Sequence, residues 1–598
     1  MIRWRKHVAI LLCICFGLYF FRLGNFGVID NYYPQAAREM LEAHDWFVPH
    51  LNYQLYFSKP IMTFGLIEAA YAMFGVSELT GRLMNAVFAT LLVMICYFTA
   101  RTVFNARTGL ISGIILASAP LLVGTSRSNS IDTFLAFFWG SATCAFIITV
   151  CSQRTKWWPA IYLALAACAL TKGPAPAGLF GIAILLFMLC ARASKSELWQ
   201  WIKTLKPVQG LALFTALVLP WYIAIAIATK GLFLKIFFLF ENISRLHGGL
   251  AKRQYPFLYA LPLAYGTLPW SLFLPSAFWR AIKPFVQRQS AVGETSGTRQ
   301  QQLALLFCAC CVVTLVGFFS CARFELDVYI LPAWTAIAIL LGAALNHWLE
   351  SAEEGASVAR PLKFVSVIML ALGVAIAPVA LYEAVKAPWP ELWMRVAISI
   401  SGLVLAASWI TQYWLLRKQR LWKALAFSLV GTSLGYTLLV PPLGETYWRI
   451  NFADTQKLAS MVADTDAQVA QYHRWNLTLL YYRHGPMEFF YNLENLLPAK
   501  NCPQKILEKV HRPLYVIVEQ LYEPQLTSRP GTNFKKVATS GIYDLLVSQD
   551  AVLIPSDTTE EVFRKQPWKM IVTADYPINL AMPWGGGSYP EKVDLTKK

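Results

Sequence analysis

Long apolar runs separated by short polar segments dominate the first three quarters of the chain. They fall near residues 8–24, 82–101, 108–125, 132–150, 158–171, 175–191, 208–228, 258–279, 303–320, 329–346, 363–383, 393–414 and 421–441. Most reach the length needed to cross a hydrocarbon layer of roughly 30 Å, so the pattern predicts an α-helical polytopic membrane protein with about thirteen spans. The runs are too long and continuous for barrel strands, and helices satisfy their own backbone amides in lipid.

After the last run the pattern changes. Residues 443–598 are more polar, with strand-like Leu514–Val518 and Tyr543–Val547 and a helical stretch at Asp454–Val462. The expected division is a transmembrane catalytic domain over 1–442 and a soluble α/β or α+β domain over 443–598. A long loop, about 25–81, interrupts the early helices. Within it Pro34–Ala43 has helical spacing and Ile61–Phe74 is apolar, both suited to lying along the membrane interface.

Composition agrees with the pattern, since the chain is 56% hydrophobic and 14% charged. The net charge of +18 does not form a nucleic-acid stripe. Its lysines and arginines recur in alternate loops: Arg3, Arg5 and Lys6; Arg101 and Arg107; Arg154 and Lys156; Arg192 to Lys206; Arg280 to Arg288; Arg360 and Lys363; Arg417 to Arg420. These loops are read as cytoplasmic, which puts the N-terminus inside and the polar tail outside. Arg3 to Lys6 before the first run also resemble a signal peptide, but no small-residue cleavage site follows, so an uncleaved first helix is expected. Eleven of the twelve cysteines lie in or beside apolar runs, which argues against a disulfide framework or a zinc pattern.

Chemistry therefore belongs on the outer face. Asp30 and Asp132 stand at the outer ends of apolar segments, where a carboxylate needs a partner or a reaction. Lys59, Arg127, Lys172 and Arg245 are cations suited to a phosphate. An outer-face transferase has no nucleotide supply, so a lipid-linked sugar fits. Such a reaction needs a base for the acceptor hydroxyl, which Asp30 can supply, and cations for the departing phosphate. Structural readings stand beside these: Asp30 as a cap for the helix beginning near Tyr32, Ser130 or Asp132 as a cap for the next, and Arg127 and Lys172 as snorkelling side chains. The tryptophans, including Trp157, Trp158 and Trp270, read as interface anchors. A secondary transporter or flippase is the rival, although no repeat or matching pair of broken segments is evident.

Several fragments occur in a characteristic order. They are Ala37-Arg38-Glu39-Met40-Leu41, Asp45-Trp46, Val48-Pro49, Leu51-Asn52, Tyr56-Phe57, Lys59-Pro60, Phe74-Gly75, Glu78 and Arg82-Leu83. Arg127 with Asp132, Leu170-Thr171-Lys172-Gly173-Pro174, Glu241-Asn242-Ile243-Ser244-Arg245, Leu268-Pro269-Trp270 and Tyr329-Ile330-Leu331-Pro332 follow. Over roughly residues 1–340 the chain resembles the aminoarabinose transferase and protein mannosyltransferase-like (ArnT-like, PMT-like) glycosyltransferases.

That resemblance implies a GT-C fold, a polyprenyl-phosphate (undecaprenyl phosphate) sugar donor and a lipid, glycan or protein acceptor reached from the outer side. It also implies inversion at the sugar carbon, a bacterial inner membrane, and no nucleic-acid partner or cofactor. It assigns Asp30 and Asp132 to catalysis, Lys59, Arg127, Lys172, Arg245 and Arg323 to the donor phosphate, and Tyr33, Glu241 and Tyr329 to substrate contact. A GT-C ligase or polymerase using a diphosphate-linked donor is a further alternative.

The sequence departs from the family pattern in four places. The usual Asp-Glu pair reads Ile29-Asp30, or Asp30-Asn31 with a one-residue shift, which leaves a single carboxylate. Glu-Lys-Pro reads Ser58-Lys59-Pro60 and Glu-His reads Glu241-Asn242, which removes two metal ligands of metal-binding relatives, so no zinc is expected. Lys-Leu-Pro reads Glu325-Leu326-Asp327, with Arg323 as a compensating charge or a cationic acceptor as the reason.

Overall fold

In the computed structural model the described residues are 2–553, apart from 26–31, 236, 239–258, 288–295, 322–325, 356, 387–388, 390, 464, 466, 473–476, 486, 491–492, 494–495 and 500–512. Among them, eight helices are long and apolar enough to cross a membrane, or nine if the pair Ala106–Ala117 and Pro120–Ser126, bent by 60°, counts as one span. The chain is a multi-pass membrane protein with a sheet-containing tail. The expectation of about thirteen spans is not reproduced as thirteen full-length helices. The run 175–191 forms the shorter helix Ala175–Cys190, and the described part of 258–279 breaks into Ala260–Tyr265, a 3-10 turn at Trp270–Phe273 and the start of Leu274–Val286. Pro262, Pro269 and Pro275 account for that interruption, because each removes a backbone donor from the ladder.

Local chemistry sets the helix ends. Ser77 and Thr80 form a capping box at the start of Glu78–Val103, Asn105 accepts from the Thr108 amide, and Ser194 pairs with Glu197 before Lys195–Leu205. One core cluster runs through the bundle from Leu11 to Leu429. Small residues allow its closest crossings. A Cβ added at Gly342 would lie 2.0 Å from the Ser112 Oγ and 2.9 Å from the Ser112 amide nitrogen, so helices Ala106–Ala117 and Trp334–Glu353 meet almost backbone to backbone. Gly342→Ala is expected to lower stability by about 1–3 kcal/mol, read as a reduced unfolding midpoint in detergent; an unchanged midpoint contradicts this packing. Trp270 is fully buried and donates to the Ser118 Oγ at 3.2 Å, so it is a core residue and not an interface anchor, whereas Trp157 is exposed.

The last helix, Leu421–Met461, runs for 41 residues without interruption, so the sequence-based boundary at 442–443 falls inside it. A hairpin in the long loop of about residues 25–81, called the first outer loop after its sequence-based expected side, comprises β1 (His50–Leu51) and β2 (Gln54–Leu55). The tail contains β3 (Gln468–Tyr472), β4 (Glu488–Phe490), β5 (Leu496–Pro498), β6 (Leu514–Glu519), β7 (Lys535–Ser540), β8 (Tyr543–Ser548) and β9 (Ala551–Leu553). Five of these form a mixed sheet in the order β4-β3-β6-β8-β7, with β4, β3 and β6 parallel and β8 antiparallel to both neighbours.

Period-two alternation divides the sheet's two faces. Ala470, Val516, Val518 and Leu546 pack into one small core, while Val469, Ile517 and Leu545 face the other way. That second face packs on Leu458, Ala459 and Val462 from the end of the long helix, on Leu479 and Leu480, and on Leu51, Tyr32 and Tyr56 of the first outer loop. The tail is thereby seated on the first outer loop.

Candidate active site

Lys172 is the last residue of helix Trp158–Lys172, where a cation complements the negative end of the helix dipole. Gly173 follows at φ +89°, a conformation that ends the helix. Across from it, Ser130 caps helix Ile131–Phe146 by accepting from the Asp132 amide, so Asp132 lies in the first turn and is not itself the cap. The two side chains meet: Lys172 Nζ is 2.5 Å from Asp132 Oδ1, with Lys172 largely and Asp132 almost fully buried. The Lys172 ammonium also lies 4.4 Å from the centre of the Tyr329 ring.

Lys59 reaches the same neighbourhood by packing. Its chain neighbours Phe57 and Ile61 join Leu170, Trp221 and Phe237 in one apolar cluster, which sets the Lys59 turn against the end of the Lys172 helix. Lys59 is buried and donates to the Ser58 carbonyl at 2.8 Å and the Ser58 Oγ at 3.1 Å. Lys172, Asp132 and Tyr329 therefore meet directly, and the turn that carries Lys59 packs beside the end of the same helix.

Arg127 stands differently. Its Nη1 and Nη2 donate to the carbonyls of Leu18 and Phe21, at 3.0 and 2.8 Å, and so tie down the end of the first helix. Tyr33 packs 5.6 Å from the Phe64 ring, inside the first outer loop. Asp327, the reversed charge of the Glu325-Leu326-Asp327 segment, accepts from the Tyr265 hydroxyl. Asp30, Glu241, Arg245 and Arg323 lie outside the described residues.

Two carboxylates that sequence reasoning left without a role occupy the first outer loop. Glu39, fully buried, accepts from the Asn52 amide at 2.9 Å, the Tyr53 amide at 2.6 Å and the Gln35 Nε2 at 2.5 Å. Asn52 and Tyr53 both have positive φ, 56° and 58°, as a two-residue type I′ hairpin loop requires. Tyrosine is ill suited to that conformation, so Glu39 holds a strained turn in place. Burial pushes the Glu39 carboxyl up to about 7 despite these donors. Glu39 lies within the Ala37–Leu41 fragment, and the fragment's order alone said nothing of what it holds. Glu68 is also fully buried, and neither of its oxygens has a hydrogen-bond partner among the described residues. A carboxylate inside the apolar stretch Ile61–Phe74 was its signal.

The hairpin connects to the tail. The Asn52 amide side chain makes two bonds to the Met487 backbone, donating to its carbonyl at 2.8 Å and accepting from its N–H at 2.9 Å. Arg38 Nη1 donates to the Tyr481 carbonyl at 2.7 Å, and the Tyr482 hydroxyl donates to Glu78 at 3.0 Å.

Residues 58–223 match the family model described as dolichyl-phosphate-mannose-protein mannosyltransferase, a stretch that contains Lys59, Arg127, Asp132 and Lys172. The chain is 30% identical over 382 residues to the undecaprenyl phosphate-alpha-4-amino-4-deoxy-L-arabinose arabinosyl transferase of Pseudomonas paraeruginosa, covering 62% of this chain and 65% of that protein. It is 30% identical over 365 residues to the enzyme of the same name from Erwinia tasmaniensis, covering 60% of each. The match thus spans somewhat less than two thirds of the length of these relatives. The crystal structure of ArnT from Cupriavidus metallidurans bound to undecaprenyl phosphate superposes with a TM-score of 0.70 at 21% identity, covering 91% of this chain and 97% of that one. That likeness establishes the GT-C fold. In sequence over these stretches and in fold, the chain resembles the ArnT-like, PMT-like membrane proteins.

Proposed function

We propose that this protein is a membrane glycosyltransferase that moves one sugar from a polyprenyl phosphate to an acceptor at the outer face of a bacterial inner membrane. The observation that carries this reading is the buried Lys172–Asp132 pair, with the Lys59 turn packed beside the end of the Lys172 helix, within the stretch that matches the family model. The N-terminus lies in the cytoplasm and the sheet-bearing tail outside it. The tail, taken from residue 443 onward, covers the first outer loop and selects acceptors.

In the reaction, the Asp30 carboxylate takes the proton of the acceptor hydroxyl. The oxygen attacks the anomeric carbon, and the bond from that carbon to the phosphate oxygen breaks with inversion. The polyprenyl phosphate leaves with the electron pair of that bond, and its charge falls on Lys59, Lys172, Arg245 and Arg323. Asp132 orients Lys172. Arg127 supports the site by fixing the end of the first helix, and Tyr33, Glu241 and Tyr329 contact substrate. A lipid, a glycan or a protein can supply the hydroxyl.

The test is transfer by the purified protein in nanodiscs supplied with polyprenyl-phosphate sugars. Asp30→Asn is expected to lower turnover about 10²- to 10⁴-fold, the range for loss of a general base. Full activity in that variant removes Asp30 from its role. Movement of a substrate across the membrane with no glycosidic product overturns the transferase reading in favour of a transporter.

A further inference from the structure

At the end of the bundle opposite the first outer loop, a cavity of about 530 Å³ opens between helices Leu274–Val286 and Trp334–Glu353 and the beginning of Arg360–Lys386. Its position follows from the helix ends. Glu78 begins a span beside the tail, whereas Asn105 and Arg107, just past the far end of that span, contact Glu350 and Glu353 close to the cavity.

Two cations and a histidine face it. Arg280 and Lys283 are three residues apart on one helix, hence on one face, and His347 approaches from another. Among the described residues its lining holds no carboxylate. Glu350 and Glu354 act on His347 from its own helix, and Glu350 is already engaged by the Asn105 amide.

The surroundings are those of a headgroup boundary. Trp279, 49% exposed, and Trp348 line the same cavity, and indole rings concentrate where lipid meets water. Helix Leu274–Val286 turns Ala277, Ala281 and Phe285 into the core and leaves Trp279 and Val286 outside. A soluble anion site has no use for an exposed tryptophan beside its cations, whereas a lipid gains from both. Basic hollows between membrane helices are suited to phosphate headgroups.

We propose that this cavity binds the phosphate headgroup of an anionic phospholipid from the leaflet opposite the first outer loop. The guanidinium of Arg280 and the ammonium of Lys283 take the phosphate oxygens, and Trp279 lies against the glycerol and upper acyl region. This lipid is neither donor nor acceptor, so the site is separate from the transferase chemistry.

Native mass spectrometry of the full-length protein, titrated with phosphatidylglycerol or phosphatidylcholine, tests it. Phosphatidylglycerol is expected to be retained preferentially, and Arg280→Gln with Lys283→Gln to weaken that retention about 10- to 30-fold, near the effect of two lost surface charges. Lys195→Gln with Lys203→Gln removes the same net charge elsewhere and is expected to leave it unchanged. Lys283→Gln alone, at an exposed position, is expected to show part of the loss in a folded protein. Equal retention of the two lipids, equal loss in the control pair, or full displacement by millimolar inorganic phosphate overturns the lipid assignment.

Discussion

Lys172→Ala is expected to slow sugar transfer about 10²- to 10³-fold, the loss seen when a preorganised donor to a developing anion is removed. Its position at a helix terminus, held by Asp132 at 2.5 Å and backed by the Tyr329 ring, fixes the ammonium before any phosphate arrives. Preorganisation of this kind lowers the barrier because the charge need not be moved or desolvated during the reaction. Asp132→Asn keeps the shape but removes the countercharge, and a fall of roughly 10- to 100-fold is expected, mostly in kcat. Because the two residues act as one unit, the double variant should lose little beyond Lys172→Ala alone. Steady-state kinetics on the two single variants and the double variant decide the matter. Fully additive losses would separate Asp132 from Lys172, and an Asp132→Asn enzyme with normal turnover would reduce the pair to a structural contact.

The second large effect concerns the hairpin under the tail. Glu39→Ala leaves the Asn52 and Tyr53 amides without the carboxylate that holds them, and each of these part-buried donors so abandoned costs up to about 1–3 kcal/mol. Because Asn52 also grips the Met487 backbone, the variant is expected to loosen the tail from the first outer loop. Faster proteolytic cleavage at the tail than in the unaltered protein would register this, and equal cleavage rates would refute it.

The same carboxyl carries a pH dependence. Burial raises it in the folded protein to about 7, so between the ordinary carboxylate range and about pH 7 the folded state binds more protons than the unfolded one. Its favourable contribution is complete below the unfolded pKa and is lost as pH rises through about 7, a change of about 3 kcal/mol at most. Unfolding midpoints at pH 5 and pH 8 should therefore differ more in the unaltered protein than in Glu39→Gln. A slope that survives the substitution would place its origin elsewhere.

Membrane helices were legible because their signal is simple: a continuous apolar run has few other fates, and most of the predicted spans coincide with helix over their described parts, the broken stretches 108–125 and 258–279 excepted. Strands β6 and β8 were found at Leu514–Val518 and Tyr543–Val547 within a residue at one end, through their β-branched and aromatic content. The interruption around Pro262 and Pro269 was missed because hydropathy is blind to prolines inside an apolar run. Apolar length likewise could not reveal that the last helix continues past Pro441 and Pro442 into polar residues. In the site, residue type picked out Asp132 and Lys172, but their pairing joins positions 40 residues apart, which no local pattern records. Arg127 has the same composition signal as Lys172, and only its carbonyl partners separate the two. Glu39 was hidden because its value lies in backbone amides of a turn, and amides carry no sequence signature.

The helix Leu421–Met461 has a length of its own to impose. Forty-one residues at a 1.5 Å rise give a helical path of about 60 Å, with Pro441 and Pro442 inside it, twice the hydrocarbon thickness. It works as a strut that fixes both the height and the compass bearing of the sheet at its tip. Each residue added or removed between 443 and 457 turns the sheet by about 100°, so register, more than composition, governs whether Met487 still finds Asn52.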